Sequence, residues 1–142
     1  MATTRVVPKD ELLKWVHQLP ISATVAILLG GDRLSCVDEA VGVEVEGKIV
    51  AIATIAPQGE MMSGQPTIVA LYTLKAHRQK GYGALALKAA IVRGKERGFS
   101  QLRVDVLSSH VMRILDSLTG EEKNYLDVHE MDMMFDLFLF AE

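Results

Sequence analysis

The stretch from Thr67 to Gly98, TIVALYT-LKAHRQKGYG-ALALKAAIVRGKERG, constrains the fold more than any other part of the chain. Its first residues, Thr67 to Thr73, form an apolar run of strand length. After a short connection the loop Arg78-Gln-Lys-Gly81-Tyr-Gly83 opens onto about four turns of helix over 82–97. A strand feeding a helix in this way is an α/β unit. The loop also has the makings of an anion site. Glycines let the backbone approach a ligand and adopt positive φ. The first helical turn offers unpaired N–H groups and the positive end of a dipole. Arg78 and Lys80 add charge at the same place.

These residues resemble the acyl-CoA-binding motif of the GNAT-type N-acetyltransferases, Arg/Gln-x-x-Gly-x-Gly/Ala, with Arg78, Gly81 and Gly83 in the three motif positions. Leu71-Tyr72-Thr73 takes the place of the end of that family's splayed fourth strand. Ala89, Gly94 and Gly98 follow the small-residue spacing of its motif helix, and Leu102-Arg-Val-Asp-Val106 is similar to its fifth strand. The resemblance implies an α/β fold with a mixed, mostly antiparallel central sheet flanked by helices and a reduced N-terminal part. It implies acetyl-CoA as cosubstrate, held by Leu71, Tyr72, Thr73, Arg78, Gln79, Lys80, Gly81, Tyr82, Gly83 and Ser109, and direct attack by an amine. A backbone N–H near Tyr72 or Thr73 would polarise the thioester carbonyl. The amine must lose a proton first, because a lysine-like ammonium has a pKa of about 10.4.

The family's second motif resembles Asn-x-x-Ala-x-x-Leu-Tyr-x-x-x-Gly, its tyrosine protonating the leaving thiolate. Registering Leu115 and Gly120 on it puts Ser109 at the Asn position, Met112 at the Ala position and Asp116 at the Tyr position. An ionised Asp is a poor general acid unless burial raises its pKa. Tyr125 is therefore the other candidate acid, against the alternative of a half-buried aromatic anchoring a loop. Glu44 or Glu46 could act as a base through water, against the alternative of outward-facing strand charges.

Two rival readings of the glycines are weaker. Gly81-x-Gly83-x-x-Ala86 fits the dinucleotide fingerprint, but that pattern needs its first glycine at the strand's end, and Leu74 to Lys80 intervene. An ordinary strand-to-helix turn would explain the glycines but not the adjacent cations.

At 142 residues the chain fits a single domain, 1–142, with a continuous core. No apolar segment follows Met-Ala-Thr-Thr-Arg, no apolar run is long enough to span a bilayer, and Cys36 stands alone. The expectation is a cytoplasmic protein without a disulfide, its partners CoA and an amine, with no membrane role and a homodimer left open. The four histidines share neither helical nor zinc-finger spacing, so no metal is expected.

The net charge of -3 hides an asymmetry: residues 75–103 carry +7 and residues 104–142 carry -7. The basic block suits a polyanionic cofactor and the acidic block a cationic acceptor, although both also read as solvated faces. With an acidic total and no interleaved aromatics, nucleic acid is not an expected partner.

Periodicity gives a first helix over Asp10 to Leu19, ended by Pro20. Ser22 to Leu29 is a strand or a short helix, followed by a turn at Gly30-Gly31-Asp32. A hairpin runs over 40–46 and 48–56 around Glu46-Gly47. Strand 67–73, helix 82–97 and strand 101–106 follow. A helix capped by Ser108 or Ser109 comes next, with Gly120 as its stop. Met131 to Phe140 reads as a closing strand. Two function classes fit: an N-acetyltransferase, or a non-catalytic CoA-binding regulatory or interaction protein of the same fold.

Overall fold

The computed structural model describes residues 1–21, 24, 34–59, 64–106 and 109–130. Strand β1 (Ala2–Pro8) leads into helix α1 (Lys9–His17). The hairpin is β2 (Glu39–Val45) and β3 (Lys48–Ala56), and β4 (Thr67–Thr73) follows. A 3-10 turn (Lys75–His77) precedes helix α2 (Tyr82–Glu96) and strand β5 (Leu102–Val106). Two short helices, α3 (Ser109–Asp116) and α4 (Gly120–Tyr125), lead to β6 (Leu126–Glu130). The six strands form one sheet in sequence order. The pairs β1–β2, β2–β3 and β3–β4 are antiparallel, whereas β4–β5 and β5–β6 are parallel.

The two parallel steps need crossover connections, and helices supply them. Helix α2 carries the chain from β4 to β5; α3 and α4 carry it from β5 to β6. Helix α2 turns Gly83, Ala86, Leu87, Ala90, Ile91 and Gly94 inward, a stripe at the spacing of one helical face. Four of those six are glycine or alanine, so the helix axis can sit close to the sheet. On that face lie Ile55, Ile68, Leu102, Val104 and Leu126 of the strands. The other face holds α1, whose Leu12 and Val16 are fully covered against Val7, Ile52 and Ala56. Burying each such aliphatic side chain contributes about 1.5–3 kcal/mol.

A charged lattice ties the C-terminal end of α2 to the start of β2. Arg93 donates to both carboxylate oxygens of Glu39 at 2.7 and 3.1 Å, and Arg97 reaches Asp38 at 2.8 and 3.0 Å and Glu39 at 3.1 Å. Their carboxylate partners hold both guanidinium groups above their ordinary pKa.

The hairpin, β4, α2 and β5 lie within a residue or so of their expected positions. Three features differ. Residues 2–8 form an edge strand, with only Val7 buried, so no alternation announced it. The chain's second short helix begins at Gly120 rather than ending there. Thr119 is its N-cap: Oγ1 accepts from the Glu122 N–H at 3.2 Å while the Glu122 carboxylate accepts from the Thr119 N–H at 2.9 Å. This capping box, Thr-x-x-Glu, was written in the sequence and overrides the stop signal of glycine. Last, β6 occupies 126–130, before the expected closing strand. The segment 131–140, the run at 22–29 apart from Thr24, and the turn at 30–32 lie outside the described residues.

Candidate active site

The sheet opens between β4 and β5. Their pairing covers only Thr67 with Arg103 and Ile68 with Val104, although β4 continues to Thr73 and β5 to Val106. A bulge prepares this opening. The β3–β4 register shifts between Ala53 and Ile55, and Val69 and Ala70 both turn to the α1 side. The buried Thr54 hydroxyl fills the gap by accepting from the Ala70 N–H at 2.8 Å.

Beyond the bulge, Leu74 donates to the Val50 carbonyl at 2.8 Å, and Tyr72 is paired with Ile52. Antiparallel alternation then points the backbone groups of Tyr72 at β3 and those of Leu71 and Thr73 into the opening. The Thr73 carbonyl accordingly accepts from Arg78 Nε at 3.0 Å, and the Arg78 guanidinium lies 5.4 Å from the centre of the Tyr72 ring. Of the expected strand donors, Thr73 faces the opening and Tyr72 does not.

The loop rounds the end of that opening. Gln79 has φ 64° and Gly81, the residue capping α2, has φ 82°. Left-handed backbone suits glycine, and a Cβ placed on Gly81 would meet nothing within 4 Å, so space lies open above it. The first helical bond runs from the Leu85 N–H to the Gly81 carbonyl at 3.1 Å. Among the described residues, the N–H groups from Gln79 to Ala84 donate to no acceptor, leaving a row of free donors at the positive end of α2. Gly83 is closed in by contrast: a Cβ there would stand 2.9 Å from Ile114 Cδ1 and 3.5 Å from Thr73 Oγ1. Helix α3 thus packs directly on the start of α2. Ser109 opens α3, following β5.

The charge at this end is smaller than the composition of 75–103 implied. Arg78 and Lys80 are in the loop, but Arg93 and Arg97 are engaged with Asp38 and Glu39, and Arg103 with Asp105 at 2.9 Å. Lys95 lies 5.3 Å from the centre of the Tyr125 ring.

The two candidate acids lie away from the opening. Asp116 is exposed and two residues past Ile114, which puts it on the opposite side of α3 from the Gly83 contact. Tyr125 packs against Gly94, about 16 Å along α2 from Gly83. Its hydroxyl donates to the Phe99 carbonyl at 2.7 Å, and burial pushes its pKa up. Glu44 is engaged with Arg5, and Glu46 lies exposed in the β2–β3 turn. His77 is half-buried, its ring 6.3 Å from that of Tyr82.

Sequence reasoning passed over one polar cluster. Arg103 and Asp105 of β5 pair with Asp127 and His129 of β6, while Leu102, Val104 and Leu126 turn to the α2 core. The four polar side chains therefore share the opposite face. His129 Nε2 is 3.0 Å from Asp127 Oδ2, and Gln65 Nε2 donates to the same oxygen at 2.6 Å. These two hydrogen bonds, Gln65 first and His129 second, hold the Asp127 carboxyl below its ordinary pKa. The signal available was the matched alternation Leu-Arg-Val-Asp and Leu-Asp-Val-His. Among the described residues no group of three or more His, Cys, Asp or Glu is arranged to hold a metal ion, and no helix is long and apolar enough to cross a membrane.

Known structures share this architecture. An IAA acetyltransferase from Bacillus cereus ATCC 14579 superposes with a TM-score of 0.59 at 14% identity, over 82% of this chain and 74% of that one. A ribosomal-protein-alanine N-acetyltransferase from Brucella melitensis biovar Abortus 2308 gives 0.53 at 20% identity, over 73% and 78%. The enzyme AAC(6')-Iy, solved with a CoA-linked bisubstrate analogue, gives 0.51 at 15% identity, over 75% and 80%. No curated protein matches the chain in sequence. The model of the acetyltransferase (GNAT) family matches residues 12–113, more than half of the chain and the whole of the β4–loop–α2 unit. With that match, and with an opened sheet and a free-donor loop where such a family needs them, the chain belongs to the GNAT acetyltransferases.

Proposed function

We propose that this chain moves the acetyl group of acetyl-CoA to an amine within the opening between β4 and β5. The observation that carries the reading is the adjacency of two open surfaces among the described residues: the free N–H groups of 79–84 and the β4 edge from Leu71 to Thr73, which pairs with no strand on its β5 side. The first suits the pyrophosphate of CoA, with Arg78 and Lys80 adding charge. The second suits a pantetheine arm lying along the strand as an added edge partner. Open space at Gly81 leaves room for a phosphate to approach the backbone.

Acetyl-CoA brings the activated acyl group. The chain supplies position and polarisation. The N–H of Leu71 or Thr73 donates to the acyl oxygen, where negative charge develops as the amine attacks. Donors already held by the sheet need no reorganisation during that step. The acceptor enters from the α1 side, because α2 and α3 cover the other face. Ribosomal-protein and aminoglycoside acetyltransferases of this fold act on very different amines, so the acceptor class is set by residues outside the cofactor loop.

Tyr125 is assigned a structural role, anchoring the segment after α2 through Phe99, and Asp116 a place on the solvent face. The acid that serves the departing thiolate is then water or the product amine's own proton. A chain of this kind works in a reducing compartment such as the cytoplasm, in keeping with its one cysteine.

The test is calorimetric binding of acetyl-CoA, followed by transfer from labelled acetyl-CoA to a panel of amines, peptides and proteins. Wild-type binding should be lost in Gly81→Val, which forces a β-branched residue into left-handed backbone. It should weaken less in Arg78→Ala. Unchanged affinity in Gly81→Val refutes the loop assignment. Binding without transfer to any amine favours the non-catalytic CoA-binding reading.

A further inference from the structure

We infer that His129, oriented by Asp127, is the base that deprotonates the acceptor amine; this rests on the acetyl-transfer reading above. Asp105 is the first β5 residue beyond the last β4–β5 pair, so it stands at the apex of the opening. His129 is its partner on β6, one strand spacing away at about 4.8 Å. Both project from the face opposite α2 and α3, which is the side left for the acceptor. The imidazole is 41% exposed and the Asp127 carboxylate 34%.

The pairing defines the chemistry of the ring. A carboxylate can only accept, so Nε2 carries the hydrogen in the neutral ring and Nδ1 keeps its lone pair. Gln65 holds the shared oxygen from the segment before β4 and restrains Asp127. The charged groups facing His129 are Asp127 on its own strand and Asp105 and Arg103 on β5, and the latter two pair with each other. Among the described residues nothing engages Nδ1.

The step balances in protons. The acceptor arrives as an ammonium ion, and Nδ1 takes one of its protons. The neutral amine then uses its lone pair to form the C–N bond as the C–S bond breaks. The imidazolium returns its proton to solvent. The second proton lost by nitrogen on forming the amide matches the one gained by the departing thiolate. Leu71 lies three residues beyond Ile68, about 10 Å along β4, and β6 is two strand spacings from β4, so a chain of waters rather than a direct contact joins base and amine.

The experiment compares wild type, His129→Gln and Asp127→Ala in acetyl-CoA binding and in the pH profile of kcat/KM with an accepted amine. His129→Gln should bind acetyl-CoA normally, lose about 100-fold or more in kcat and lose the acid-side limb of the profile. Added imidazole should restore part of the rate. Asp127→Ala should lower kcat with KM and acetyl-CoA affinity unmoved, as expected of a positioning residue. A His129→Gln protein that transfers acetyl at the wild-type rate with its acid limb intact overturns the assignment. Wild type that binds no acetyl-CoA overturns the acetyl-transfer reading itself, and this one with it.

Discussion

Replacing Gly94 by alanine tests how tightly the far end of α2 is locked. A Cβ at this position would stand 2.6 Å from the Tyr125 hydroxyl and 3.1 Å from Leu102 Cδ1. Alanine gains about 1 kcal/mol over glycine in a helix interior. Against that, the tyrosine ring must retreat by nearly 1 Å to reach ordinary contact, and overpacking of this kind costs about 1–3 kcal/mol. The retreat also stretches the 2.7 Å hydrogen bond to Phe99, worth about 1 kcal/mol. The net expectation is a loss of about 1–3 kcal/mol. Tyr125→Phe alone should lose about 1 kcal/mol through the same bond. The double variant should then be more stable than Gly94→Ala alone, since the clashing oxygen is gone and the helical gain remains. Urea denaturation of all four proteins gives the coupling, expected at about 2–4 kcal/mol because the double variant should lose almost nothing. Strict additivity, or a stabilising Gly94→Ala, would refute the packing argument. Activity measured on the same proteins separates anchor from acid: Tyr125→Phe should keep the wild-type kcat, whereas a tenfold loss would return Tyr125 to the chemistry.

Two further outcomes follow from titrating groups. Burial raises the Tyr125 phenol above its ordinary value, so the folded state favours the neutral form. That contribution is complete below about pH 10 and is lost as pH rises through the raised value, so Tyr125→Phe should flatten the alkaline fall in stability seen by thermal melting. Thr119→Ala removes the capping box and should cost about 1 kcal/mol near neutral pH. Chiefly through its bond from the Thr119 N–H, the Glu122 carboxyl sits below its ordinary value; the associated stability is present above about pH 4.3 and is lost as pH falls, and acid titration of stability checks it.

What was legible in the sequence divides along physical lines. The hairpin, β4 and α2 announce themselves because both of their faces, or one continuous face, are buried, and burial writes a pattern. The edge strand at 2–8 writes none, since only Val7 is enclosed. The loop could be recognised because backbone approach demands glycine at Gly81, a requirement local in sequence. Asp116 was placed by register on a distant motif and Tyr125 by its nearness in sequence to that position, and neither carries information about which way a side chain turns. The placing of the Asp127–His129 pair beside Arg103 and Asp105 was hard to see for a different reason, although the alternation of the two segments hinted at it. The pair itself is local, two residues apart on β6, but its place beside Arg103 and Asp105 depends on β6 lying parallel to β5, and that pairing is not encoded in either segment alone.

The bulge at Val69 and Ala70 amounts to a change of phase. Before it, the even-numbered residues present their backbone to β5, as Pro66, just ahead of β4, does in accepting from the Arg103 N–H at 2.8 Å. After it, the odd-numbered ones do, and Leu71 and Thr73 become the donors that face the opening. The Thr54 hydroxyl is the wedge that holds the strand at that change. Removing Ala70 would therefore erase the bulge: regular alternation from Ile68 would still present Leu71 and Thr73 towards β5, but on a straight strand able to pair with β5 past Val104, so the opening itself would be lost.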